Sequence, residues 1–297
     1  MRLFVSRRCW LLSFTAFVAF AIGVVVTWVI VASTSSTSEE ARPVLLLTGD
    51  SLTEYGTKPE NDGWISLLQD RYCRTADIMA RGLSGYNTKY VSLSSWLLRL
   101  AFANLIALLN SYLSRWFIED ALPVIEGELA SHRISPALIT LWLGANDAAL
   151  LNGTSAWQHV PLEEYAANLA KIVLTFRLKA PTAQILLITP AFVDDSRRMS
   201  ANGTLDRSNA ASGEYAQKCV ETAQEIDTPV LDLYSVFSAM PDNESATYLE
   251  DGLHFNAEGN RLVDQELRAT MASEFPGLVS RLGTWDLPSF TQFEQQR

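Results

Sequence analysis

Ser51, Asp251 and His254 are the residues of this chain whose types and spacing could do covalent chemistry. Ser51 stands in Gly49-Asp50-Ser51-Leu52, directly after an apolar run, where a turn can project a hydroxyl into a cleft. His254, one of only three histidines, closes the segment Asp251-Gly252-Leu253-His254. An imidazole in reach of a serine takes its proton as the oxygen attacks an acyl carbon, then returns that proton to the leaving group. Asp251, three residues earlier, can hold one ring nitrogen so that the other faces the serine, the logic of a Ser-His-Asp triad. Acyl transfer also needs donors for the oxygen that becomes negative during attack. The backbone N–H groups of Ser51 and Gly82 and the side-chain amide of Asn146 are candidates. Each motif has a plain alternative. Gly-Asp-Ser is also a strand-to-helix cap, the Asp251 segment a solvated acidic turn, and Gly82 and Asn146 ordinary turn residues.

The elements needed to carry these residues can be read from hydrophobic patterning. Val44 to Leu47 is an uninterrupted apolar run that suits a buried strand leading into the Ser51 turn. A second strand is expected around Ala76 to Met79, ahead of Arg81-Gly82-Leu83-Ser84-Gly85. PALITLWLG, AQILLIT and TPVLDLY supply three more strand candidates. Between them, residues 61 to 71, LEEYAANLAKIVLTFRL and Gly213 to Ile226 read as amphipathic helices, and a last helix starts near Asn256 or Ala257. Such alternation predicts a parallel sheet covered by helices on both faces, a three-layer α/β/α domain over about 42 to 285, with chemistry at the carboxyl ends of its strands. Residues 91 to 130 form a long apolar insertion, interrupted by Arg99, Asn104, Asn110 and Arg115, that reads as packed amphipathic helices, with a lipid-facing or substrate-covering helix as the alternative.

Four blocks, GDSLTEYG, RGLSGYNT, LGAND and DGLH, occur in this order, and together they resemble the GDSL lipase/esterase, or SGNH hydrolase, family. The resemblance is closest to the isoamyl acetate-hydrolysing esterase branch, including VPLEEYAANL after the third block, and covers most of residues 42 to 275. It implies a flavodoxin-like SGNH fold with strand order 2-1-3-4-5. It further implies Ser51 as nucleophile, Gly82 and Asn146 as oxyanion donors, and His254 as base with Asp251 as its orienter. Asp50 and Asp147 are expected to support the geometry of their loops. The reaction implied is carboxylic-ester hydrolysis through an acyl-enzyme, on short-chain acyl or lipid-like esters, without cofactor or metal. A cell-surface carbohydrate O-acetyl esterase and an inactive membrane-tethered scaffold are the alternatives.

The amino-terminal region carries a different expectation. Residues 9 to 32 contain no charge and are long enough to span a hydrocarbon layer as a helix, preceded by Arg2, Arg7 and Arg8. They read as a signal-anchor, with 1 to 8 cytoplasmic, 33 to 41 a polar stalk, 286 to 297 a tail, and the catalytic domain lumenal or extracellular. Cleavage of the segment, giving a secreted protein, is the alternative. The membrane then becomes a partner, and the sequons at Asn152, Asn202 and Asn243 become glycosylation candidates. A formal net charge of −10 shows no basic footprint for nucleic acid. Cys73 and Cys219 are placed on separated elements by the implied strand order, which argues against a disulfide. Oligomeric state is not legible.

Overall fold

Strand β1, Val44–Gly49, is the centre from which the architecture is built. Leu45, Leu46 and Leu47 are all fully buried, with Leu45 and Leu47 facing one hydrophobic core and Leu46 the other. That is the burial of a strand covered on both faces, and it explains an apolar run without alternation. A computed structural model describes residues 42–89 and 121–284, all within one compact unit that begins at Arg42.

The other strands are β2 (Asp77–Gly82), β3 (Pro136–Trp142), β4 (Gln184–Ile188) and β5 (Val230–Leu231). They form one parallel sheet in the order β2-β1-β3-β4-β5. Order reverses at β1, which pairs with β2 on one side and β3 on the other. Loops leaving the carboxyl ends of β1 and β3 therefore diverge and leave a crevice between them. Gly49 is in register with Gly82 and with Trp142, so three loops start at one level of the sheet.

Helices cover both faces. On one side, α2 (Trp64–Tyr72) and the long carboxy-terminal helix Ala257–Glu274 pack Trp64, Leu68, Val263 and Leu267 against Leu45, Leu47 and Leu186. On the other, Leu122–Ala130, Leu162–Lys179 and Asn209–Glu225 pack Ile125, Leu169, Val173, Phe176 and Ala223 against Leu46, Ile139 and Leu187. Helix α1, Ser51–Tyr55, is only five residues long and follows β1 directly. Leu122–Ala130 is the described end of the long insertion, and it buries Leu122, Ile125 and Leu129 as ordinary scaffold.

The expectation of an N-terminal transmembrane helix is corrected. No helix among the described residues is long and apolar enough to cross a membrane. The physical reason is plain in the two 18-residue helices, Leu162–Lys179 and Ala257–Glu274. Each buries one face on the sheet and exposes charged residues on the other. Residues 9–32, on which the signal-anchor rested, lie outside the described residues. Among the described residues the fold is the α/β/α domain. The signal-anchor, the type II topology, the lumenal or cell-surface placement and the membrane as partner are withdrawn with the transmembrane helix.

Candidate active site

Ser51 opens α1 because Asp50 caps it. The Asp50 side chain accepts the Leu52 N–H at 2.9 Å, which ends β1 and starts the helix in a single step. The Ser51 N–H belongs to the first helical turn, where amides have no intrahelical acceptor. Ser51 is almost fully buried, at 7% exposure.

The histidine comes from a loop just before the last long helix. Gly252 has φ +88°, a left-handed conformation costly for residues with a Cβ. The resulting turn folds the Leu253 and His254 N–H groups back onto Asp251 Oδ1, at 3.0 and 2.9 Å. Asp251 Oδ2 then accepts from His254 Nδ1 at 2.9 Å, and His254 Nε2 lies 2.8 Å from Ser51 Oγ. With Nδ1 carrying a proton toward the carboxylate, Nε2 is left as the acceptor for the serine hydroxyl. Partial burial by itself raises the Asp251 pKa. The hydrogen bonds from the His254 ring and backbone outweigh it and hold the carboxyl well below the usual range. Arg198 adds a longer contact to Asp251 Oδ2 at 3.4 Å. Tyr55, from the same helix as Ser51, packs on the His254 ring with centroids 4.7 Å apart.

Gly82 ends β2 where its Cα touches α1. A Cβ there would lie 2.1 Å from Glu54 N, so only glycine allows this approach. Glu54 Oε2 accepts the Ser84 N–H at 2.6 Å and ties the loop after Gly82 to the helix carrying Ser51. Asn146 lies in the loop after β3. Its Nδ2 donates to Tyr86 O at 2.8 Å and lies 3.5 Å from Asp50 Oδ2. The structure therefore brings Ser51, His254 and Asp251 into one hydrogen-bonded chain, with Asn146 linked to them through Asp50.

Asp50 and Asp147 are both fully buried. Burial raises Asp50 to about 7, against the Leu52 N–H and His254, and raises Asp147 to about 6, against its two hydrogen bonds from Thr88. Asp147 Oδ1 accepts from both the N–H and the hydroxyl of Thr88, pinning the second block to the third. Asn152, Asn202 and Asn243 are exposed. Their glycosylation requires a lumenal route, and that placement has been withdrawn. Among the described residues no group of three or more His, Cys, Asp or Glu side chains is placed to hold a metal ion. Cys73 is exposed, Cys219 is buried, and both are free.

Arg207 and Gln158 escaped the reading of motifs. Both are buried and both contact Asn146 Oδ1, at 3.1 Å each. Neither lies in a block with a recognisable pattern.

With the geometry in place, comparison with known proteins decides the family. The GDSL-like lipase/acylhydrolase family profile matches residues 47–262. The chain belongs to that family. This GDSL chain is 34% identical over 239 residues to a GDSL esterase/lipase of Arabidopsis thaliana, covering 78% of this chain and 87% of the relative. It is 33% identical to the isoamyl acetate-hydrolyzing esterase 1 homolog of Homo sapiens, covering 82% and 87% respectively. The fold is also that of a solved lipase/acylhydrolase from Enterococcus faecalis, with a TM-score of 0.51 at 19% identity, covering 78% of this chain and 96% of that one. As a GDSL/SGNH enzyme, the chain is a serine hydrolase of carboxylic esters.

Proposed function

We propose that the domain over 42 to 285, including the insertion 91 to 130, cleaves short-chain carboxylic esters with Ser51 as nucleophile, His254 as general base and acid, and Asp251 as its orienter. The observation that carries this reading is the unbroken chain Ser51 Oγ–His254 Nε2–His254 Nδ1–Asp251 Oδ2, with contacts of 2.8 and 2.9 Å. His254 Nε2 takes the Ser51 proton as Oγ bonds to the ester carbonyl carbon, and the carbonyl oxygen becomes an oxyanion. The Ser51 and Gly82 N–H groups and Asn146 Nδ2 donate to that oxygen. Collapse breaks the bond to the alkoxy oxygen, which leaves with the proton from His254. Water then attacks the acyl-Ser51 ester by the same route and releases the acid. Asp50 and Asp147 hold the loops of Ser51 and Asn146.

What supports a short acyl chain is likeness to a relative named for hydrolysing isoamyl acetate.

The test is intact-mass measurement after treatment with a fluorophosphonate, on wild type, Ser51→Ala and His254→Ala. One adduct per wild-type chain, lost in both folded variants, is expected. A folded wild type that takes no label, or a Ser51→Ala chain that still labels, sinks the assignment. Rates on a panel of soluble esters then rank acyl lengths, with acetate esters expected to exceed long-chain ones.

A further inference from the structure

Arg207 is 3% exposed and lies in the loop between the short helix Asp195–Arg198 and the helix Asn209–Glu225. Its Nε donates to Ala145 O at 2.6 Å and one terminal nitrogen to Asp206 O at 3.0 Å. The other terminal nitrogen donates to two side-chain amides at once, Asn146 Oδ1 at 3.1 Å and Gln158 Oε1 at 2.6 Å. Gln158 Nε2 in turn donates to Asn146 Oδ1 at 3.1 Å and to Gly85 O at 2.9 Å. Burial lowers the guanidinium only to about 10, so it stays charged at neutral pH.

A guanidinium has donors and no acceptor, and it therefore dictates which end of a neighbouring amide faces it. Gln158 must turn its oxygen to Arg207, which leaves its NH2 to donate. Asn146 must turn its oxygen toward both. Rotated by 180°, the Asn146 amide would set its NH2 against two donors and its oxygen against Tyr86 O. In the orientation that remains, one Nδ2–H is taken by Tyr86 O. The other has only the long 3.5 Å contact with Asp50 and is available to a new acceptor.

We propose that Arg207 is a positioning residue for ester cleavage: directly and through Gln158, it locks the Asn146 carboxamide in the orientation that presents Nδ2–H to the developing oxyanion. The inference rests on Asn146 being an oxyanion donor. A donor that works only on the oxyanion acts on kcat, because the ground-state ester gains little from it.

The experiment is a double-mutant cycle on a soluble short-chain ester, with wild type, Arg207→Met, Asn146→Ala and the double variant. Asn146→Ala should lower kcat by about 100- to 1,000-fold, as for loss of one oxyanion donor. Arg207→Met should lower kcat by roughly 10- to 100-fold with KM within about threefold, and in the Asn146→Ala background its further effect should shrink to about threefold or less. Gln158→Glu supplies a second, nearly isosteric arm if Arg207→Met does not fold. It keeps the acceptor for Arg207 but turns a carboxylate oxygen to Asn146 Oδ1, and its kcat loss should also vanish without the Asn146 amide. Full kcat in either folded variant, or losses that multiply in the double variants, would overturn the positioning role while leaving Asn146 as donor. Undiminished kcat in Asn146→Ala would overturn the donor reading and the inference with it.

Discussion

Asp251 holds His254 at two places, accepting the backbone N–H on Oδ1 and the ring Nδ1–H on Oδ2, each at 2.9 Å. One carboxylate thus shapes the loop and sets the tautomer. Asp251→Asn separates the two tasks. Its oxygen can still accept the backbone N–H, but its NH2 faces Nδ1 and favours the tautomer with the proton on Nε2, which cannot take the serine proton. The expected outcome is a kcat lower by about 10,000-fold, as for the corresponding change in a triad, at a thermal midpoint close to wild type. A fully active Asp251→Asn enzyme would remove the aspartate from the mechanism.

Asp50 provides a pH prediction. Its carboxyl is raised from 3.8 to about 7 by burial. Between roughly pH 4 and pH 7 the folded chain therefore keeps a proton that the unfolded chain has lost, and stability falls as pH rises through that window. Asp147, raised to about 6, works in the same direction. Asp251, held low, works in the other: its contribution is present above about pH 4 and lost as pH falls further. Asp50→Asn keeps the shape and the acceptor for Leu52 N–H while removing the charge. Urea midpoints should shift in favour of Asp50→Asn at pH 7.5 relative to pH 4.5. Parallel midpoints for the two proteins across that range would contradict the shift.

Gly82 allows a steric prediction. A Cβ there would meet the backbone N and Cα of Glu54 at 2.1 and 2.5 Å, and a helix backbone cannot rotate aside as a side chain can. Gly82→Ala should cost roughly 1–3 kcal/mol by denaturant unfolding. It should also lower kcat, because α1 carries Ser51. Unchanged midpoint and kcat would mean that the β2–α1 contact yields freely.

The parallel sheet was legible because β1, β3 and β4 are covered on both faces, so their cores read as apolar runs, interrupted in β3 only by the buried Thr140. The final helix was legible through its cap, Asn256, whose side chain accepts the Gly259 N–H. Boundaries moved where local polar geometry intervenes. The helix expected from 61 starts at Trp64, after a short 3-10 turn that ends with Asp62 at φ +43°. The strand expected in TPVLDLY shrinks to Val230–Leu231, because Asp232 turns to cap the next helix at Leu233–Ser238. At the site, Ser51 and the Asp251–His254 pair carry compact local motifs. Arg207 does not, since its partners Gln158 and Asn146 lie 49 and 61 residues away along the chain. Only the fold brings them together.

Ser51 follows the first strand, whereas His254, its proposed base, lies 203 residues later, on the last loop before the helix Ala257–Glu274. Synthesis runs from the amino end, so a ribosome carries the serine long before it carries the imidazole. Stalled chains ending before residue 250 should ignore a fluorophosphonate that labels the released full-length enzyme, and labelling of such chains would refute the point. On the proposed mechanism, a copy that ends before His254 is chemically silent. On that mechanism, reactivity toward esters appears only once the segment that carries His254 has been made and has docked beside Ser51.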